Sequence, residues 1–406
     1  MKILFLTLLF EREKEAEYKQ KAGGEVQNAS NTFQYALLDG IFENGRENDI
    51  FVCNSLPVGT YKKQYSELFL KGEEFRYGNK VVGKTLPCVN VHILKQLTRY
   101  IGCRRLIKEF IKRNRGEEIK ILTYNLYPPY VKVAAKFAKK YPNTEFCPII
   151  TDMPGSLGIL PAGWRKYYYL IQAKGIFRNL KYADKFVFLT ELMKNPLHVE
   201  NNYMVMEGIY SDIDRANNSS STVKSDKKII LYTGTLKKEF GIRTLIEGFL
   251  LSEREDAELW ICGGGEGREF VEKTAQENPS VKFFGSVDRA EALEKQRSAD
   301  LLFNPRPAEG EFVKYSFPSK TMEYMASGKP VAMFKLPGIP AEYDKYLNYV
   351  KENTPLSVKE TIEEILYDKY AECVKKAEAG KEFIFEYKNS RVQAQRLIEF
   401  LESARK

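Results

Sequence analysis

The residues best placed to do chemistry lie in one run, LLFNPRPAEGEFVKYSFPSKTMEYMASGKPVAM, Leu301–Met333. An apolar strand ends there at Asn304-Pro305-Arg306, a loop follows, and Ser316-Phe317-Pro318-Ser319-Lys320 opens a helix. Ser319 is expected at the N-cap, where its hydroxyl would accept from an orphan N–H. The free amides of a first helical turn form an anion cradle. Lys320 adds a cation, and Glu323 follows three residues on, on roughly the same helical face. Arg306 at the strand end supplies a fork for phosphate oxygens. A phosphate binder and a hydroxyl acceptor one turn apart suit a nucleoside diphosphate, whose ribose lies beside its phosphates. The same pattern also reads as a capped surface helix with a Lys–Glu pair.

Two other runs carry similar chemistry. In ICGGGEGREF, Ile261–Phe270, glycines including Gly264 follow a strand and precede a helix, so the backbone can approach a ligand. The spacing departs from the dinucleotide G-x-G-x-x-G pattern, and a tight strand-to-helix turn explains the glycines equally well. In YTGTLKKEFGIRTLIEGF, Tyr232–Phe249, a strand ends at Thr233-Gly234-Thr235 and the loop presents Lys237 and Lys238. Gly234 permits close approach, and the lysines are either donor-facing or a solvated pair.

The elements that must position these residues follow an α/β rhythm. Strands are predicted at Lys2–Leu9, Asp49–Cys53, Ile119–Tyr124, Phe146–Thr151, Lys185–Leu189 and Tyr203–Met206, with helices at Asn31–Glu43, Val91–Arg113, Pro129–Lys140 and Trp164–Leu180. The polar Ser/Asn-rich stretch SDIDRANNSSSTVKSDK, Ser211–Lys227, reads as a linker. The alternation then restarts with strands at Lys228–Tyr232, Ala257–Cys262, Val281–Phe284, Leu301–Asn304 and Pro330–Phe334. The expected domains are 1–210, a linker at 211–227, 228–385, and a closing helix in 386–406 that crosses back to the first domain. Ligands of doubly wound sheets sit at the carboxyl ends of the strands, and with two such halves the expected site is the cleft between them.

Composition bounds the rest. With 406 residues, 43% hydrophobic and 29% charged, the chain has the make-up of a globular protein of two or three domains. No apolar run is long enough for a membrane-spanning helix. Met1–Phe10 is apolar, but the charged Glu11-Arg12-Glu13-Lys14-Glu15 follows where a signal peptide wants small residues, so a buried first strand is expected. The six cysteines have no C-x-x-C pair, and the two histidines, His92 and His198, are far apart in sequence. Buried thiols in a reducing cytoplasm and no metal site are therefore expected. The net charge is +9, yet residues 1–210 hold 32 basic and 21 acidic side chains against 31 and 33 in residues 211–406. The excess lies wholly in the first half. It is too modest for a dedicated nucleic-acid binder and points to a phosphate-bearing or membrane-like partner.

Four stretches together, YTGTLKKEFGIRTLIEGF, LWICGGGEG, VKFFGSVDRAEALEKQRSADLLFNPR and YSFPSKTMEYMASGKPV, resemble the retaining GT-B glycosyltransferases of the group 1, family 4-like kind. The first half is similar to their acceptor domain more loosely, through Gly23-Gly24, TDMP at Thr151–Pro154, LTELM at Leu189–Met193 and MEGI at Met206–Ile209. The resemblance implies two Rossmann-like domains facing across a cleft. It also implies sugar transfer from a nucleotide sugar, used as co-substrate, to a hydroxyl, without a metal or other cofactor. It places the donor nucleoside on Glu323, the nucleobase on amides near Gly285-Ser286-Val287, and the donor phosphate opposite Gly23 and Gly24.

The sequence departs from the commonest pattern of that family in three places. Tyr315 stands where an E-x7-E motif wants its first Glu, the expected basic pair falls on Thr235 and Phe240, and Asp152 occupies the strand end of the usual acceptor-domain His. Lys237, Lys238, Arg306 or Lys320 would replace the missing charge. The P-S-K-x-x-E-Y signature is nearest the bacterial enzymes of surface-polysaccharide or glycolipid synthesis. Arg306 and Lys320 are then expected to hold the diphosphate, and Asp152 to orient the acceptor. The acceptor is expected to be a carbohydrate or a lipid-diphosphate-linked sugar, with the protein cytoplasmic and peripheral on the inner face of the membrane through its basic half. The alternatives are another enzyme of this fold, such as a sugar-nucleotide epimerase, or a two-lobed ligand-binding protein without catalysis.

Overall fold

KILFLT, apolar between its end residues Lys2 and Thr7, buries five consecutive positions as strand β1 (Lys2–Thr7). From there strands and helices alternate in the computed structural model, which describes residues 1–22, 28–154, 163–211 and 225–404. The chain divides into two compact units, Met1–Glu207 with Ser390–Lys406, and Gly208–Asn389.

The first unit continues with β2 (Ile50–Asn54), β3 (Phe69–Leu70), β4 (Glu73–Tyr77), β5 (Lys80–Thr85), β6 (Cys88–Val89), β7 (Ile119–Tyr124), β8 (Thr144–Ile150), β9 (Phe186–Phe188) and β10 (Tyr203–Val205). Its main sheet runs β10-β9-β8-β7-β1-β2-β5-β4. All pairs are parallel except β4–β5, an antiparallel hairpin at the edge. Sequence patterning misses that hairpin because EEFRY, the edge strand, and KVVGKT beside it both carry charge. Such charges also block further pairing at the exposed edge. Helices Asn28–Glu43, His92–Arg113, Pro128–Lys140 and Trp164–Leu180 complete the α/β layers.

The second unit holds β11 (Lys228–Thr233), β12 (Ala257–Cys262), β13 (Val281–Phe283), β14 (Leu301–Asn304), β15 (Val331–Phe334) and β16 (Asn348–Val350). Its order is β13-β12-β11-β14-β15-β16, with every pair parallel. The strand order reverses between β11 and β14, which opens a crevice at their carboxyl ends. That crevice carries the motif residues.

The closing helix expected in 386–406 is shorter and separate from the helix before it. Helix Tyr370–Tyr387 ends first, Asn389 Nδ2 turns back to the Phe385 carbonyl at 2.8 Å, and a new helix runs Ser390–Glu402. This last helix belongs to the first unit, where it lies on helix Asn28–Glu43. A side chain at Gly40 would run into the Ser390 carbonyl, so only glycine permits that approach. All six cysteines are buried and free.

Candidate functional site

Three loops, at the carboxyl ends of β11, β12 and β13, are tied together by backbone hydrogen bonds. Gly234 N donates to Cys262 O at 3.0 Å, Leu236 N to Gly264 O at 2.9 Å, and Gly263 N to Gly285 O at 2.7 Å. Gly263 has φ 151°, and a Cβ there would collide with the Gly234 carbonyl. The glycines of ICGGGEG thus serve loop-to-loop packing as well as leaving open backbone. Gly264 sits beside the exposed Ser286, whose Oγ would be 2.7 Å from a Cβ on Gly264. Val287 follows half-buried, and Asp288 caps helix Arg289–Ser298 by accepting from Glu291 N at 2.9 Å.

Glu323 is the centre of the polar network. Its Oε1 accepts from Lys320 Nζ at 2.6 Å and from Gln296 Nε2 at 2.5 Å, and Arg289 lies 3.4 Å from Oε2. Its side chain is 12% exposed. Burial pushes this carboxyl up, but the charges of Lys320 and Arg289 and the two hydrogen bonds outweigh it, and the net shift is down. Glu323 is therefore an ionised acceptor at neutral pH. The stability this contributes is present above the ordinary carboxylate value and is lost as pH falls through the lowered one. Gln296 also donates to Thr233 Oγ1 at 3.3 Å. Tyr324, fully buried one residue on, accepts from Thr233 N at 2.8 Å and locks the end of β11. Both ties fix Glu323 relative to the strand-end loops.

The other motif residues arrange themselves around this centre. Ser319 is not the N-cap: helix Ser319–Ala326 is capped by Pro318, with no side-chain cap bond. Pro318 has φ −67° and ψ 116°, so the chain turns helical only at Ser319, whose exposed hydroxyl makes no cap. Lys320 is half-buried and ion-paired to Glu323, so the Lys–Glu pair of the plainer reading is real in this structure. Arg306 lies between the rings of Phe240 and Phe312, 5.1 and 5.0 Å from their centroids, and donates to Ser316 Oγ at 3.1 Å. Thr235, Lys237 and Lys238 are exposed, and Lys237 Nζ stands 5.7 Å from the Phe240 ring centroid.

Sequence reasoning missed four side chains here: Gln296, Tyr324, Arg289 and Asn304. Asn304 is buried at the end of β14, and its Nδ2 has no partner among the described residues. A buried strand-end amide with a spare donor is the kind of group that meets a ligand. Tyr324 closes the P-S-K-x-x-E-Y signature and Asn304 ends the motif strand, but the tie of Tyr324 to Thr233, like the contacts of Gln296 and Arg289, comes from chain brought close only by folding.

The first unit carries a separate cluster at the carboxyl ends of its strands. Asp152 is exposed, and its Oδ2 accepts from Asn125 Nδ2 and from Thr151 Oγ1, both at 3.2 Å. The chain leaving β1 is clamped by three side-chain amides. Gln34 bonds both the N–H and the carbonyl of Leu8 at 2.9 Å, Asn54 does so for Leu9 at 2.8 and 3.1 Å, and Asn31 for Phe10 at 2.8 and 3.2 Å. Each amide supplies the donor and acceptor that a neighbouring strand would have given. Gly23 and Gly24, farther along this segment, lie outside the described residues.

Two buried cations stand one turn apart nearby. Lys95 donates to the carbonyls of Val58 and Gly59, and Arg99 to the Leu56 carbonyl and to Tyr127 Oη at 3.1 Å. Among the described residues neither is in a salt bridge. Burial, with the Arg99 charge adding, pulls the Lys95 ammonium down to about 8 from an ordinary 10.5. Between those values the unfolded chain binds more protons than the folded one, so wild-type stability rises with pH across that window. Lys95→Met removes the titration. Its stability relative to wild type is expected to fall by about 3 kcal/mol between pH 7 and pH 10, read from urea unfolding at both pH values. An unchanged difference would place the ammonium in a solvated setting.

Comparison with known proteins agrees with this architecture. Residues 214–403 match the family model of the glycosyl transferases group 1. No curated protein matches the chain. Among solved structures, sucrose-phosphate synthase of Thermosynechococcus elongatus superposes with a TM-score of 0.64 at 16% identity, covering 99% of each chain. Anabaena Alr3699/HepE in complex with UDP gives 0.63 at 12% identity over 100% of both chains. The catalytic domain of Arabidopsis thaliana starch synthase IV bound to ADP and acarbose gives 0.60 at 11% over 98% of both. At such identities the likeness shows the fold, which is GT-B.

Proposed function

We propose that this glycosyltransferase, with its group 1 domain over residues 214–403, moves a sugar from a nucleotide diphosphate to a hydroxyl with retention of anomeric configuration. The product belongs to bacterial cell-surface polysaccharide or glycolipid. The observation that carries this reading is Glu323: a half-buried, ionised carboxylate held by Lys320, Gln296 and Arg289 one turn into a helix that begins with free amides. A ribose diol fits such an acceptor, and a diphosphate fits the amides at Ser319 and Lys320 with the Arg306 guanidinium. Amides near Ser286 and Val287 would meet the nucleobase, and Gly234, Thr235, Lys237, Lys238 and Gly264 would border the donor. Gly23 and Gly24 would meet its phosphate.

The chemistry asked of these groups is electrostatic. The bond from the anomeric carbon to the diphosphate breaks, the acceptor oxygen bonds to that carbon on the same face, and the acceptor proton passes to the departing phosphate. Preorganised cations and helix amides stabilise the leaving charge, so the reading requires no metal ion. Asp152 would orient the acceptor hydroxyl. The basic first half suits a lipid-diphosphate-linked acceptor at the inner face of a membrane.

A thermal-shift series with UDP, GDP, ADP and their sugars tests the donor site, since a ligand of the folded state alone raises stability. One nucleotide is expected to raise Tm. The anomeric proton coupling of the product, read by NMR, then tests retention. An epimerised nucleotide with no transferred sugar would overturn the transferase reading.

A further inference from the structure

Helix His92–Arg113 is built inside out. Its inward stripe includes Lys95 and Arg99, 7% and 3% exposed, while Ile93, Leu94, Leu97 and Ile101 stand out at 68, 47, 50 and 40%. These four positions fall within about a third of the helix circumference. The same outward arc continues through Arg104, Arg105, Lys108 and Lys112, all exposed. One face is therefore aliphatic in its first turns and cationic in its last.

Helix Trp164–Leu180 repeats that order. Tyr167, Leu170 and Ile171 are 69, 45 and 70% exposed, and Lys174 and Arg178 follow on the same arc and are exposed. The two aliphatic ends adjoin, for His92 and Tyr168 bring their rings within 5.3 Å. Helix Pro128–Lys140 packs against both and adds exposed Lys132, Lys136, Lys139 and Lys140. Glu109 is the one acid in the sequences of the three helices. Among the described residues none of Arg104, Arg105, Lys108, Lys112, Lys174 or Arg178 is in a salt bridge.

We propose that this layer is a docking surface for an anionic lipid bilayer. The aliphatic ends enter the interface and the cationic ends lie among the headgroups. Protruding isoleucines seek hydrocarbon, which a nucleic acid does not offer, and unpaired cations beside them complement anionic lipid. No helix among the described residues is long and apolar enough to cross a membrane, so the contact is peripheral. The purpose of the surface rests on the proposed lipid-borne acceptor, whereas its existence rests on exposure and charge alone.

Flotation of the full chain with vesicles decides it. Wild type is expected to float with phosphatidylcholine vesicles containing phosphatidylglycerol, to release in high salt, and to stay behind with pure phosphatidylcholine. Ile93→Ser with Ile171→Ser, and separately Arg104→Glu with Lys174→Glu, are each expected to weaken partition about tenfold or more. Tm and the UDP, GDP or ADP shift serve as folding controls and should not move. No flotation of wild type, equal flotation of the variants, or equal binding to neutral vesicles overturns the proposal. So does a wild-type self-association, without flotation, that the serine variants abolish. Flotation without any nucleotide shift leaves the surface standing and sinks the donor-site reading. A nucleotide shift without flotation does the reverse.

Discussion

Glu323→Ala is expected to lower kcat/KM for the nucleotide-sugar donor by about 10²–10³-fold with little change in Tm. In the proposed site the carboxylate accepts from two ribose hydroxyls. Hydrogen bonds to a charged group contribute about 1.5–3 kcal/mol each, and their loss together gives a change of that order. The fold should tolerate the change, because the residue lies in a half-buried polar cluster and Tyr324 and Gln296 keep their ties to Thr233. Removing Glu323 also releases the Lys320 ammonium that it neutralises. That cation would then sit nearer the phosphates. Free nucleoside diphosphate should therefore lose less affinity than the transition state loses stabilisation. Glu323→Gln separates the two effects, since it keeps the shape and one acceptor but not the charge. Its kcat/KM should fall between wild type and Glu323→Ala, and its diphosphate affinity should follow the alanine variant. Wild-type kcat/KM in both variants would sink the assignment of Glu323 to the donor.

Five of the six sheet strands of the second unit were legible as short apolar runs bounded by polar or glycine residues, as KIILY and AELWIC are, whereas the short edge strand β16, NYV, was not. The β4–β5 hairpin was not, for its alternation is masked by charge, and only one face of Glu73–Tyr77 is covered. Helices Pro355–Glu363 and Tyr370–Tyr387 escaped for a related reason, their apolar positions being scattered among Lys and Glu. At the site, local spacing announced Lys320 and Glu323, which are partners within one turn. It could not announce Tyr324 on Thr233, or Gln296 between Thr233 and Glu323, because those contacts join residues 91, 63 and 27 positions apart. Helix His92–Arg113 misleads most. Residue type says that Lys95 and Arg99 face water and Leu97 and Ile101 face the core, whereas the observed burial is the opposite. Backbone carbonyls of residues 56–59 accept the two cations and make that inversion possible.

The largest stability effect is expected at Lys185. Its side chain is 1% exposed, and its ammonium donates to the carbonyls of Phe400, Leu401 and Ser403 at 2.6, 3.1 and 2.5 Å. Phe400 and Leu401 lie in the last turn of helix Ser390–Glu402 and Ser403 just past it, where no further turn of helix satisfies their carbonyls. A buried cation thus closes the carboxyl end of this helix, where the helix dipole also favours positive charge. Lys185→Met fills similar space and leaves the carbonyls bare. With a charge-assisted set of bonds lost, the cost is about 3–5 kcal/mol. For a unit of this size that is roughly 10 °C in Tm. The loss should be local at first, so amide exchange over residues 390–402 should accelerate more than that of β1 or β7. Gly40→Val attacks the other end of the same helix by collision with the Ser390 carbonyl, and it should reproduce the exchange pattern without touching Lys185. Because both ends hold one helix, the double variant should cost less than the sum of the two. A Lys185→Met protein with wild-type Tm and wild-type exchange over that helix would show that its docking rests on the apolar face of Ala394, Leu397, Ile398 and Leu401 alone.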